Sequence, residues 1–284
     1  MENITTGGIA ALIQAGHLKL GQELTCPVPG VVATVAADGL RVKGASAMDP
    51  TEAMRYVLDE KTDHDNGWIF WRLYDSKRGF DKPLEHVRVQ WLSSQQSSAV
   101  RTSVTHPLRI NSLAIADLPG KIGMTFCPGK KGDAIYGGAW DRSLDMDLAV
   151  INDWGAAAVV TAMEDHEFDL LGIPQFPSVM GSQPFKWFHL LIRDSDVPDQ
   201  RFETAWPSVQ RVLIETLKEG RDIVVHCRGG LGRTGVVVAK LLVEIGVSPD
   251  QAIIMVRSAR PGAIETWAQE QYVRNPGSAG SLRF

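Results

Sequence analysis

Three cysteines, Cys26, Cys127 and Cys227, are spread over 284 residues. They are too few and too scattered for a disulfide framework, so the fold must rest on a packed core, and any thiol chemistry belongs in a reducing compartment. No apolar run reaches the roughly 18 residues of a membrane span. The opening residues, MENITTGGIAALIQAGHL, lack the basic n-region of a secretory signal. A soluble, cytoplasmic protein without membrane contact is therefore expected. Charge of one sign is also scarce: 29 Lys and Arg against 33 Asp and Glu leave a net of -4, which argues against a general polyanion binder. No internal repeat is visible, and the length suggests two domains.

What the chain does have is a concentration of glycine beside its last cysteine. Residues 224 to 235 read VVHCRGGLGRTG. The apolar run Ile223 to Val225 leads into this stretch and Val236 to Leu242 follows it, which makes the loop a strand-to-helix turn. Gly230, Gly232 and Gly235 fit the dinucleotide fingerprint, but Ile254-Met255-Val256 stand where an acid is required about 20 residues on. A nucleoside-triphosphate loop fails too, since Cys227 replaces its first Gly and Arg233 its Lys.

The pattern C-x5-R-[ST], from Cys227 to Arg233 and Thr234, uses every residue. Between them Arg228, Gly229, Gly230, Leu231 and Gly232 let the loop curl until its N–H groups converge on one anion. The glycines are expected to supply unusual dihedrals and close approach. The helix starting near Arg233 adds the positive end of its dipole. In that field Cys227 is expected to be a thiolate and so a nucleophile. Arg233 offers a planar fork for two phosphate oxygens, and Thr234 a hydroxyl near the sulfur.

His226-Cys227-(x5)-Arg233-Thr234 resembles the signature of the cysteine-dependent protein tyrosine and dual-specificity phosphatases. Residues 117 to 273 are most similar to the kinase-associated, cyclin-dependent-kinase-inhibitor-type members, through LPGKIGMTFCPGKKG, FHLLIRDSDVPD, HCRGGLGRTG and RPGAIETWAQEQYV. The resemblance implies a phosphocysteine intermediate without metal or cofactor. It also implies a proton donor upstream of the signature, an aspartate followed four residues later by proline. Asp194 and Pro198 fit, with Asp196 as the alternative. Gln269 lies where the family often has a glutamine that positions the hydrolytic water, or else it is a polar helix face. Glu265 departs from a second glutamine of the tyrosine-specific members. His226 is expected to brace the loop by hydrogen bonds. The acidic group Glu164-Asp165-His166-Glu167 reads as a solvated turn rather than a metal site, and Cys127 as an idle buried thiol or the partner in a regulatory disulfide.

The flanking pattern is that of an α/β domain. Leu144, Leu148, Ile151 and Trp154 share a helical face ending at Gly155, and Ala156 to Met163 and Phe185 to Ile192 are buried strands. Pro207 to Leu217 reads as a helix stopped by Gly220, Arg221 to His226 as the strand feeding the loop, and Ser248-Pro249-Asp250 as the start of another helix. A central, mostly parallel sheet flanked by helices is the fold the resemblance implies. The Ser- and Gln-rich stretch 93 to 105 reads as a linker. That leaves a phosphatase-like domain at 106 to 284, with a mobile tail after Arg274.

Residues 1 to 92 read as short antiparallel strands, Glu23 to Cys26, Val31 to Val35 and Leu40 to Val42, with turns at Pro29-Gly30 and Asp38-Gly39. A helix capped by Asp49-Pro50 to about Leu58 and a strand from Gly67 to Trp71 follow. LIQAGHLKLG and NGWIFW in this order resemble the RAMA domain, which implies a small α+β unit and modified DNA as candidate ligand. Ten Lys and Arg against 12 Asp and Glu give this part a net of -2. Strong nonspecific DNA binding is not expected unless Lys77, Arg78, Lys82 and Arg88 gather on one face. Trp68 and Trp71 are either stacking surfaces for a base or ordinary core. Phosphorylated protein is the leading substrate. RNA ends, nucleotides and phosphoinositides stay open, as does a phosphate-dependent binding module without turnover.

Overall fold

The computed structural model describes residues 8–59, 66–75, 80–94, 100–133 and 138–275. The chain divides into two compact units, Met1–Ala99 with Asp133–Ala139, and Val100–Gly132 with Trp140–Phe284. Of the expected linker, residues 93 and 94 end a helix, Val100 and Arg101 form a short strand, and 95–99 lie outside the described residues, as does the tail from 276. Among the described residues no helix is long and apolar enough to cross a membrane.

The first unit runs α1 (Ile9–Gln14), β1 (Glu23–Thr25), β2 (Val32–Val35), β3 (Leu40–Val42), α2 (Pro50–Leu58), α3 (Gly67–Phe70), β4 (Arg72–Asp75), β5 (Phe80–Pro83) and α4 (Leu84–Ser94). Its strands form an antiparallel sheet in the order β3-β2-β1-β4-β5. At the start of α2 the Asp49 carboxylate accepts from Thr51 N–H (2.8 Å) and Glu52 accepts from Asp49 N–H (3.2 Å). This reciprocal cap, with Pro50 in the first turn, fixes the helix start.

Gly67 to Phe70 is one helical turn, not the expected strand. Asn66 caps it by accepting from Trp68 N–H (3.1 Å), and a side-chain carbon on Gly67 would lie 1.9 Å from the Pro50 carbonyl oxygen. Contact with α2 thus overrides the β-propensity of the aromatic run. Trp71 is fully buried, packs edge-on against Phe70 and donates its indole N–H to Pro50 O (3.0 Å), which removes it as a stacking surface. Trp68 lies under the Arg88 guanidinium, 4.9 Å from its ring centre, and Arg88 is paired with Glu85 at 3.1 Å. Lys77 and Arg78 lie outside the described residues.

From Val100 the chain continues with β6 (Val100–Arg101), β7 (Asn111–Ile115), β8 (Leu118–Phe126), β9 (Lys131–Asp133), β10 (Ala139–Asp141), α5 (Leu144–Asp153), β11 (Ala156–Thr161), α6 (His166–Leu170), α7 (Phe176–Gly181), β12 (Lys186–His189), α8 (Gln200–Lys218), β13 (Asp222–Cys227), α9 (Gly232–Glu244), α10 (Pro249–Ala259) and α11 (Trp267–Arg274). The main sheet has the order β12-β11-β13-β8-β7, with only β7 antiparallel to its neighbour. β13 is the middle strand and is buried from Ile223 onward, as a continuous apolar run requires. α9 is buried from Gly232 to Leu242.

α8 begins seven residues earlier than its proline suggests. Asp199 caps it, accepting from Arg201 N–H at 2.8 Å, and Pro207 lies inside the helix on its exposed face. The missing N–H and any bend fall on the solvent side, so the helix tolerates a residue that more often starts one.

Candidate active site

β13 ends at Cys227 and α9 begins at Gly232, so the loop spans 228–231. Gly230 has a φ of 73°, and a side-chain carbon there would lie 2.2 Å from the Thr125 carbonyl oxygen, because the loop rests against β8. At Gly232 such a carbon would lie 2.5 Å from Glu265 Oε2. Gly229 has open space and no positive φ, so the backbone demands glycine at Gly230, while at Gly232 a side chain would have to push aside the ends of Glu265 and Gln269. Cys227 is 3% exposed, and Gly230 N–H donates to its Sγ at 3.2 Å.

Arg233, at the foot of α9, is 2% exposed. Its Nη1 and Nη2 donate to the two carboxylate oxygens of Glu167 at 2.5 and 2.9 Å, its Nη1 also to Ile192 O at 3.1 Å, and its Nη2 to Asp194 Oδ1 at 2.9 Å. The bidentate pair with Glu167 fixes the plane of the guanidinium. This corrects the solvated-turn expectation for the acidic group. Glu167 is 3% exposed, accepts from Glu164 N–H as well (2.8 Å), and faces inward from α6. Glu164 pairs with Arg201 at 2.9 Å. Among the described residues no cluster of three or more His, Cys, Asp or Glu suits a metal ion.

The two candidate acids differ in surroundings. Asp194 stands between Arg233 and Arg228, whose Nη1 is 3.8 Å from Asp194 Oδ2. The Asp196 carboxylate accepts from Val197 N–H (2.8 Å), while its carbonyl accepts from Gln269 Nε2 (3.1 Å). Gln269 is fully buried and is not a polar helix face: its Oε1 accepts from the N–H groups of Glu265 (3.0 Å) and Thr266 (3.3 Å), capping α11. Its amide therefore ties the acid-bearing segment to the start of α11. The Glu265 carboxylate accepts from Gly232 N–H at 2.7 Å, and burial together with the Asp194 charge raises its pKa to about 7.

His226 Nε2 meets the Thr161 hydroxyl at 2.8 Å, and Trp187 Nε1 donates to the same oxygen at 2.9 Å, so the threonine links β13, through β11, to β12. Burial pushes the imidazole down to about 3, leaving it neutral. Thr234 is fully buried, and its hydroxyl has no hydrogen-bond partner among the described residues. Arg260 was not singled out from the sequence, although it stands in the RPG segment. It grips the loop from outside, with Nε on Gly230 O, Nη2 on Gly229 O (3.3 Å) and Nη1 on Asn111 Oδ1 (2.5 Å). Lys130 is held between the rings of Phe126 and Trp140 at 4.3 and 4.4 Å and donates to Arg228 O at 3.4 Å; burial lowers its ammonium to about 7. Cys127 is a fully buried free thiol whose pKa burial pushes well up, as an idle thiol's would be.

Residues 146–273 match the family model described as PTP-SAK, Swiss Army Knife protein, DSP-PTPase phosphatase domain. Cyclin-dependent kinase inhibitor 3 of Rattus norvegicus is 30% identical over 135 residues, covering 46% of this chain and 62% of the relative. Protein tyrosine phosphatase domain-containing protein 1 of Mus musculus is 46% identical over 72 residues, covering 25% of this chain and 10% of the relative. The chain thus spans less than two thirds of either relative. A crystal structure of kinase associated phosphatase, with serine in place of the catalytic-site cysteine, is similar at a TM-score of 0.52 and 26% identity, covering 60% of this chain and 93% of that one.

Proposed function

We propose, from the match of residues 146–273 to the DSP-PTPase phosphatase-domain model, a hydrolase of phosphotyrosine and phosphoserine/threonine in proteins that acts through a phosphocysteine intermediate. One observation carries it: the thiol of Cys227 lies under a loop N–H, at the head of a helix whose first turn presents an arginine locked by a buried carboxylate. A phosphoryl group seated in the loop takes Nη2 of Arg233 from Asp194, while Glu167 keeps its hold on the guanidinium. That exchange releases the Asp194 carboxylate to take up a proton from solvent and pass it to the leaving oxygen, as Cys227 Sγ bonds to phosphorus and the P–O bond breaks. Water then attacks phosphorus, the S–P bond breaks with its electron pair returning to sulfur, and phosphate departs. Among substrate classes, relatives named as tyrosine phosphatases favour protein. Gly229-Gly230-Leu231 lack the lysines expected for a polyphosphorylated lipid.

A turnover panel of phosphotyrosyl and phosphothreonyl peptides, RNA 5' ends and phosphoinositides tests the substrate class, with peptides expected to turn over fastest. Turnover confined to RNA ends or lipids would replace the protein substrate, and none anywhere would leave a binding module. Within the panel, Asp194→Asn is expected to slow poor leaving groups by about 10²- to 10⁴-fold. It should spare an activated aryl phosphate, whose leaving group needs no proton. The same pattern in Asp196→Asn instead would move the proton donor by two residues.

For residues 1–92 we propose modified DNA as the ligand, on the RAMA resemblance and with the half-buried Trp68, under Arg88, as the remaining stacking candidate. The full chain should retard a duplex carrying methylated, hydroxymethylated or glucosylated bases more than a plain duplex at low salt. Equal retardation removes the DNA role.

A further inference from the structure

The proposed reaction uses one carboxyl, Asp194, and leaves a second, Glu265, standing over the start of α9. A side-chain carbon on Gly232 would lie 2.5 Å from Glu265 Oε2 and 2.9 Å from both amide atoms of Gln269. The glycine is thus what allows a carboxylate and an amide to lie side by side on the loop. Gln269 steadies the carboxylate from behind through Glu265 N–H and reaches Asp196 with its other end. Three charged groups face Glu265: Asp194 from the segment before α8, Arg233 from α9, and Arg260 from the segment after α10. Burial and Asp194 disfavour its ionised form, while Gly232 N–H and the two arginines favour it, so both protonation states are populated near neutral pH.

Resting on the phosphatase activity inferred above, we propose that Glu265 is a further catalytic residue, the base that takes the proton of the water hydrolysing the phosphocysteine. A phosphoryl group in the loop competes with Glu265 for Gly232 N–H, leaving the carboxylate beside the phosphoryl oxygens. The water oxygen bonds to phosphorus, one of its protons passes to a Glu265 carboxylate oxygen, and the S–P bond breaks with its electron pair returning to Cys227 Sγ. Hydrogen phosphate leaves, and Glu265 releases its proton to solvent. The two halves of the reaction thus have different proton carriers, Asp194 for the leaving group and Glu265 for the water.

The test is rapid-quench kinetics of the full chain with an activated aryl phosphate, reading phosphoenzyme formation and breakdown separately. Glu265→Gln should leave formation within about twofold and slow breakdown about 10²-fold, so that a burst approaching one phenol per enzyme appears. Normal formation in that variant also shows that it is folded. Breakdown in the wild type should rise with pH through about 7, as the carboxylate forms, and Glu265→Gln should lose that limb. Glu265→Asp should restore part of the rate. Unchanged breakdown in Glu265→Gln, or loss of the pH limb in Asp194→Asn instead, overturns the assignment. Equal slowing of formation and breakdown marks a structural role and overturns it as well. Wild-type turnover with unchanged breakdown in Glu265→Gln removes the base alone, whereas no phosphoenzyme in the wild type removes the parent activity.

Discussion

Cys227→Ser is expected to lose turnover by a factor on the order of 10⁶, the scale on which a covalent enzyme fails without its nucleophile. Serine puts an alcohol under the Gly230 N–H that meets the sulfur, and an alcohol is a far weaker acid than a thiol, so the same surroundings do not make it a comparable nucleophile. Binding should survive, because Arg233 keeps its pair with Glu167 and the loop keeps its N–H groups. Turnover of an aryl phosphate together with calorimetric titration of a phosphopeptide reads both quantities. Turnover persisting in the serine variant rules out the phosphocysteine route.

Glu167→Ala should cost stability and activity together. It removes the bidentate partner of a guanidinium that is 2% exposed, and breaking a buried ion pair from one side costs about 3 to 5 kcal/mol. The lower end is expected here, since Ile192 O and Asp194 remain on Arg233. Those remaining partners also carry the kinetic effect. Without Glu167 the arginine leans on Asp194, which both misplaces the phosphate fork and holds the proton donor as a paired carboxylate. Turnover of poor leaving groups should then fall by about 10²-fold or more. Urea denaturation and steady-state kinetics check the pair. A change in unfolding free energy below about 0.5 kcal/mol would place Glu167 among ordinary surface carboxylates.

The loop was legible from sequence because its chemistry is local. Cys227, the glycines and Arg233 fall within one turn between two apolar runs, and strand and helix form where those runs stand. What sequence missed are groups brought in from far along the chain. Glu167 is 66 positions from Arg233, and Arg260 is 30 from Gly230. In a run of acidic residues nothing local tells which one faces inward; the placement of α6 decides that. The alternative reading of Gln269 as a polar helix face fails for a related reason, since a glutamine on a helix looks solvated until its amide proves to cap the helix and hold Asp196 O. In the first unit the error at Gly67 to Trp71 came from reading aromatic β-propensity where close approach to Pro50 settles the backbone.

Arg260 holds the carbonyl oxygens of Gly229 and Gly230 from outside the loop. Two successive carbonyl groups with their oxygens anchored outward resist peptide-plane rotation, so the loop has little freedom left to lose when an anion arrives. The ordering entropy of the cradle is spent during folding rather than at each encounter. In the proposed reaction, substrate ester and product phosphate would therefore meet a receptor of the same shape, with the detached part of the substrate, not the phosphoryl group, distinguishing one from the other.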